Sequence, residues 1–170
     1  MKNILKASVF VGVCAVALST PAYASPDADK AAVAVKAAID AASSAWLNCE
    51  LDAAMKYDAD GRTGYYPDSS EVQMNTEANR KEEADFCANG GKHEMTYAIK
   101  NVQVYGDVAI AYGDGHYKRT EPDGKVSIDS DYTFTDVLVK AKDGWKFKHS
   151  HVGAVMPMDE TMAASAEHKH

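Results

Sequence analysis

The stretch FTDVLVKAKDGWKFKHSHVG, Phe134–Gly153, decides the fold. Two runs rich in β-branched and aromatic residues flank Asp143-Gly144, which reads as a hairpin: one strand ending near Lys140, a tight turn, and a last strand from Trp145. On that last strand Trp145, Phe147, His149 and His151 share one parity, with same-face neighbours about 6.6 Å apart. Lys146, Lys148 and Ser150 take the other. Trp145 and Phe147 mark the first face as the core face. Continuous alternation therefore predicts that both histidines point inward, climbing from packed core towards an open end.

Working backwards, VAIAYGDGHYKRT from Val108 and VSIDSDYTFTDVLVK from Val126 read as two further strands, joined through Glu121-Pro122-Asp123-Gly124. The glycines of the former permit a kink or a close approach. KHEMTYAIKNVQVY, from Lys92, is another long strand. His93, Met95, Tyr97 and Ile99 share one parity while Val102 and Val104 take the other, which predicts a bulge near Asn101. These strands are expected to pair antiparallel.

The upstream part is helical. Ala32, Val35, Ile39, Ala42, Trp46 and Cys49 recur at gaps of three and four, one face of a helix. Asp27 and Asp29 suit the positive end of its dipole. Asp52 is expected to cap a short second helix through about Tyr57. A short strand near Tyr65 and Tyr66 follows. Thr76 is expected to cap a third helix that stops at Asn89-Gly90-Gly91. Helices first and hairpin-linked strands after them make an α+β pattern. The packing solution is a strongly curved, cone-shaped sheet wrapped around the N-terminal helices, with one mouth open to a small ligand.

The chain has 170 residues. Lys2 and Lys6, the apolar run Ala7–Leu18 and Ala22-Tyr23-Ala24 predict a signal peptide over 1–24, cleaved before Ser25. The apolar run is shorter than the roughly 20 residues a membrane span needs. A periplasmic or secreted location is expected, with no stable membrane anchor after cleavage. One domain over 25–156 and a C-terminal tail over 157–170 remain, the tail ending in the His168 and His170 pair. The formal charge of −7 becomes −9 once Lys2 and Lys6 leave. An acidic domain without a basic run repels phosphate backbones, so no nucleic-acid partner is expected. Cys14 leaves with the leader. Cys49 and Cys87 remain, and oxidising conditions favour a disulfide over two free thiols.

FTDVLVKAKDGWKFKHSHVG resembles the last two strands of SnoaL-like domains in the nuclear transport factor 2-like superfamily. SAWLNCELDAAMKYDADG, Ser44–Gly61, is similar to that family's first helix breaking into a second. VYGDVAIAYGDGHY, Val104–Tyr117, is similar to its middle strand. The resemblance covers roughly Val33 to Val155. It implies the cone fold and a homodimer through the sheet's outer face. It implies function less closely, because the superfamily holds isomerases, dehydratases, polyketide cyclases and epoxide hydrolases as well as non-enzymatic association domains.

Three readings of His149 and His151 follow. Both can be hydrogen-bonded polar lining of a small-molecule pocket, together with Tyr66, Tyr97, His116 and Tyr132. One can act as general acid or base of a cofactor-independent lyase or isomerase. Asp131 or Asp114 would then orient it, and Tyr65, Tyr66, Tyr97 or Tyr132 would donate to an oxyanion. Both can bind a metal with His116, Asp129 or Asp131, but no third ligand is placed by the pattern, so no metal and no cofactor are expected. A structural or oligomerisation module with a vestigial pocket is the third function class.

Overall fold

The computed structural model describes residues 26–67, 72–73 and 76–155. The expected leader over 1–24 and tail over 157–170 lie outside the described residues. Helix α1 spans Pro26–Leu47, α2 Leu51–Ala54 and α3 Glu77–Ala88. Strands are β1 Asp58–Tyr65, β2 Val72–Gln73, β3 Lys92–Tyr105, β4 Val108–Thr120, β5 Val126–Ala141 and β6 Gly144–Ala154. They form one sheet in the order β2-β1-β6-β5-β4-β3. The expectation of antiparallel pairing holds for β3 to β6, but β1 runs parallel to β6. No hairpin joins β1 to β6, so nothing ties that pair to the antiparallel sense. Among the described residues no helix is long and apolar enough to cross a membrane.

The core lies between α1 and the concave face of the sheet. Val35, Ile39 and Ala42 of the expected stripe are buried, with Ala38 and Ala45 beside them. Val35, Ala38, Ile39 and Ala42 pack on Ala109 and Ala111 of β4, Leu138 of β5, and Trp145 and Phe147 of β6. The small alanines on both sides let helix and sheet approach closely.

Both helix ends around the disulfide close in the same way. After α3, Gly90 takes φ +91°, and the amides of Gly91 and Gly90 donate to the carbonyls of Phe86 and Cys87. After α1, Cys49 takes the left-handed position at φ 60°, and the amides of Glu50 and Cys49 donate to Ala45 and Trp46. A left-handed non-glycine costs roughly 1–2 kcal/mol. That turn lets Cys49 reach Cys87, with the Cα atoms 6.0 Å apart. Closing a loop of 38 residues contributes about 4 kcal/mol in the chain-entropy account. Thr76 caps α3 as expected, accepting from the Asn79 amide at 3.2 Å. Asp52 does not cap α2: Glu50 holds the cap position without a side-chain bond, and Asp52 pairs with Arg80 instead.

Curvature comes from bulges and glycines. The expected bulge in β3 is present between Ile99 and Asn101. A second, not expected, lies in β6: Val137 faces His149 while Leu138 faces Phe147, leaving Lys148 as the extra residue. One extra residue inverts the alternation beyond it. On β4, Gly113 and Gly115 stand opposite Phe134 and Tyr132. A Cβ on Gly113 would lie 2.1 Å from the Ala98 carbonyl oxygen and 2.7 Å from the Phe134 ring; on Gly115 it would lie 2.3 Å from the Thr96 oxygen. The missing side chains let β4 bend against β3 and leave room for the two rings.

Gly113→Ala is therefore expected to destabilise the chain by at least about 2 kcal/mol in urea denaturation. Gly124→Ala, in an open turn at φ +86°, pays only the left-handed strain of about 1 kcal/mol. Equal stability of the two variants would contradict this account of the bend.

Candidate functional site

The inverted alternation of β6 decides what faces the interior. Trp145 and Phe147 are buried as expected, but beyond Lys148 the buried residue is Ser150, while His149 is half-buried and His151 exposed. His149 and His151 therefore stand on the convex face, not inside the cone. His149 Nδ1 is hydrogen-bonded to Thr63 Oγ1 at 2.8 Å, and the Tyr65 ring meets both imidazoles edge-on at 5.8 and 6.1 Å. Continuous alternation was the wrong premise, because it took no account of the bulge.

His116 and Asp131 also stand on the convex face. His116 binds Asp131 through Nδ1 at 2.8 Å and Asp129 through Nε2 at 2.9 Å. The Asp131 bond first, then Asp129, raises the His116 pKa. Asp114 pairs there with Lys100. His116, Asp131 and Asp114 border an open depression of about 540 Å³. His116–Asp131 and His149–His151 are thus two separate outer-face groups, and neither reaches the interior. Tyr66, Tyr97 and Tyr132 do line the interior cavity.

That cavity measures about 680 Å³, within the usual range for small-molecule sites. Trp46, Met55, Met95, Phe134, Phe147 and Val152 give it apolar walls. Its polar floor comes from three strands. Asp136 of β5 lies opposite Ser150 of β6, and Ser150 lies beside Gly64 of β1. In β1 the register slips between Asp58 and Thr63. Gly61 takes φ +64° there, and Lys148 Nζ donates to the carbonyls of Asp60 at 2.7 Å and Gly61 at 3.4 Å. The extra residue of one strand thus holds the looped-out backbone of its neighbour. The loop-out brings Asp58 and Arg62 to the cavity floor.

Arg62 Nη1 donates to Asp58 and Nη2 to Ser150 Oγ at 3.1 Å. Its guanidinium lies 4.6 Å over the Phe147 ring. Arg62 Nε is buried without a partner among the described residues, at a cost of roughly 1–3 kcal/mol. Asp136 is only 8% exposed. Burial pushes its carboxyl up to about 6, against opposing pulls from the Ser150 hydroxyl and the Arg62 charge. Burial also raises Asp58, with Arg62 pulling it back. Tyr66 is raised by burial, and Tyr97 and Tyr132 are pushed up to about 12, again chiefly by burial. These phenols are neutral hydrogen-bond donors near pH 7. A carboxylate that gains and loses a proton near neutrality, a fixed cation and neutral donors in an apolar cavity make a proton-transfer constellation.

Sequence reasoning missed Asp136, Arg62, Asp58 and Ser150. A signal for Asp136 was present: Tyr132, Phe134, Asp136 and Leu138 share one parity, a carboxylate in the middle of an apolar stripe. No such signal marks Arg62, which depends on a loop-out that composition does not announce.

A family model described as the SnoaL-like domain matches residues 35–157. A search of curated proteins found no match. Among solved structures, the chain is similar to a nuclear transport factor 2-like superfamily protein from Salmonella enterica serovar Typhimurium. The TM-score is 0.64 and the identity 14%, over 77% of this chain and 95% of that one. A ketosteroid isomerase-like protein from Erwinia carotovora atroseptica gives 0.59 and 19%, over 76% and 99%. A protein with a cystatin-like fold from Caulobacter vibrioides gives 0.56 and 17%, over 80% and 94%. At these identities the likeness carries the fold, and the function must come from the cavity. With the family model covering most of its length and the cone fold shared, this chain belongs to the SnoaL-like domain family.

Proposed function

We propose that the domain binds a small, largely apolar molecule in the interior cavity, with the molecule's oxygen-bearing end at Asp136, Ser150 and Arg62. The observation that carries this reading is Asp136, a buried carboxyl placed at the floor of an apolar cavity of about 680 Å³. Burying a carboxyl without full compensation costs stability. A site that recognises a hydroxyl or carbonyl gives that cost a purpose. 2-Naphthol, whose fluorescence reports its surroundings, is a suitable probe. It is expected to bind one to a chain. Ser43→Phe, which fills the cavity wall, should weaken binding at least about tenfold, while a His149→Ala/His151→Ala variant should bind like the parent. Loss of binding in the histidine variant with none in Ser43→Phe would place the site elsewhere.

The raised carboxyl of Asp136 favours a second reading, an isomerase or lyase that uses Asp136 rather than a histidine as its general base. Proton exchange at the α-carbon of an enolisable ketone, followed by NMR in deuterated water, tests it. The rate should rise with pH through about 6, where Asp136 ionises, and fall by at least about a hundredfold in Asp136→Asn. No enhancement over buffer, or an unaffected variant, would leave only the binding role. The same group has a stability signature. Its folded pKa of about 6 exceeds the ordinary 3.8, so the folded chain holds the proton more tightly. Stability therefore falls as pH rises between those values, by roughly 2–3 kcal/mol. Asp136→Asn should escape that loss, and its stability advantage should grow between about pH 4 and about pH 7.

Export and pairing belong to the same proposal. The Cys49–Cys87 bridge supports an oxidising, periplasmic or secreted location. Tyr105, Val108 and Tyr112, exposed on the convex face, support a homodimer there. N-terminal sequencing is expected to begin at Ser25, and light scattering to give twice the chain mass. A monomer at all concentrations would remove the dimer.

A further inference from the structure

Away from the cavity floor, Glu83, Cys87 and His93 bring a carboxylate oxygen, a sulfur and an imidazole nitrogen within 4.8 Å of one another. Glu83 and Cys87 are four apart on α3, hence on one face. His93 is the second residue of β3, just past the glycine turn that ends α3. Its ring is fixed on every side. Trp46 stacks on it at 4.0 Å and Phe86 tilts against it at 4.7 Å. Nδ1 is hydrogen-bonded to the Tyr117 hydroxyl at 2.8 Å, and Nε2 is directed at Glu83. A histidine held through one nitrogen, with the other aimed at ligand-type atoms, is the arrangement that metal-binding histidines show. The Glu83 carboxylate is 22% exposed and borders the interior cavity, which gives an ion a way in.

In the oxidised chain the sulfur of Cys87 is bonded to that of Cys49 and is no thiolate ligand. We propose that reduction of the Cys49–Cys87 bridge turns this cluster into a zinc-type divalent metal site, with Cys49, Cys87, His93 and Glu83 as its ligands. A dithiol reductant supplies the two electrons and two protons and becomes a disulfide, leaving two thiols on the chain. The ion then displaces both thiol protons. Exchange with a disulfide oxidant, which takes the two electrons and two protons and leaves as two thiols, re-forms the sulfur–sulfur bond and releases the ion. Two sulfurs, one nitrogen and one oxygen suit zinc better than a hard cation such as calcium. With the Cα atoms 6.0 Å apart, both sulfurs can reach one ion at about 2.3 Å. Two thiolates and a carboxylate would leave a loaded divalent site one charge negative. Arg119, whose Nη1 lies 3.7 Å from Glu83, balances that charge.

Cobalt(II) tests the site, because thiolate ligation gives near-ultraviolet charge-transfer bands and a tetrahedral site gives visible ones. The purified chain is titrated oxidised, and again after reduction with a phosphine under anaerobic conditions. The reduced chain is expected to take up one equivalent with both sets of bands, displaced by zinc, and the oxidised chain none. Glu83→Gln, which keeps the packing around His93, should weaken uptake at least about tenfold, and the double variant Cys49→Ser/Cys87→Ser should lack the charge-transfer bands. Uptake without those bands, or unchanged in Glu83→Gln, would point to other histidines such as His168 and His170 and overturn the proposal. If the reduced chain loses its fold without metal, one equivalent of zinc should restore the native circular dichroism; failure to do so overturns the proposal equally.

Discussion

The extra residue at Lys148 is the constraint on which the interior of this domain depends. Before it, β6 turns Trp145 and Phe147 into the core; after it, the same strand turns Ser150 inward and its histidines outward. The lysine's own amine then holds the carbonyls of Asp60 and Gly61, where β1 loops out. Those two irregularities face one another, and between them they deliver Asp58, Arg62 and Ser150 to the carboxyl of Asp136. A regular β6 would have exchanged the polar floor for two imidazoles and left β1 with nothing to hold its displaced backbone.

The sequence carried the fold further than the site. Helix α1 was legible because its apolar period repeats over several turns, and α3 because Thr76 and Gly90-Gly91 are both chemical signals of a helix end. The β3 bulge could be read because apolar parity visibly switches between Ile99 and Val102. The β6 bulge could not. Beyond Phe147 the inward residues are Ser150 and Val152 and the outward ones His149 and His151, so hydrophobicity does not report which parity is buried. The parallel pairing of β1 was hidden for a related reason: it is a tertiary contact between distant segments and leaves no local mark. The candidate residues followed these differences. Tyr97 and Tyr132 lie where the parity of their strands puts them and Tyr66 just past the end of β1, while the assignments of His149 and His151 rested on a strand whose alternation fails.

The cavity floor costs stability. Asp136 and Asp58 are carboxyls in a place that disfavours their charge, and Arg62 keeps one of its N–H groups unpaired to sit between them. The cone meets that cost elsewhere, through the α1–sheet core and the disulfide. The division is visible in composition: alanines and aromatic rings fill the closed end, while Asp58, Arg62, Asp136 and Ser150 make the polar floor. Gly113 and Gly115 link the two regions, since the bend they permit seats the rings of Phe134 and Tyr132, which are at once core and cavity wall.

The cysteine bridge gives the chain a lasso topology. The ring closed by Cys49 and Cys87 contains α2, β1, β2 and most of α3, and so carries Arg62, Asp58 and the Glu83 side of the cavity in one covalent circle. A protease cut anywhere inside that circle would not separate the two halves of the molecule, which would stay joined through sulfur. The segment that carries the least regular backbone is thus the one whose peptide continuity matters least to holding the domain together.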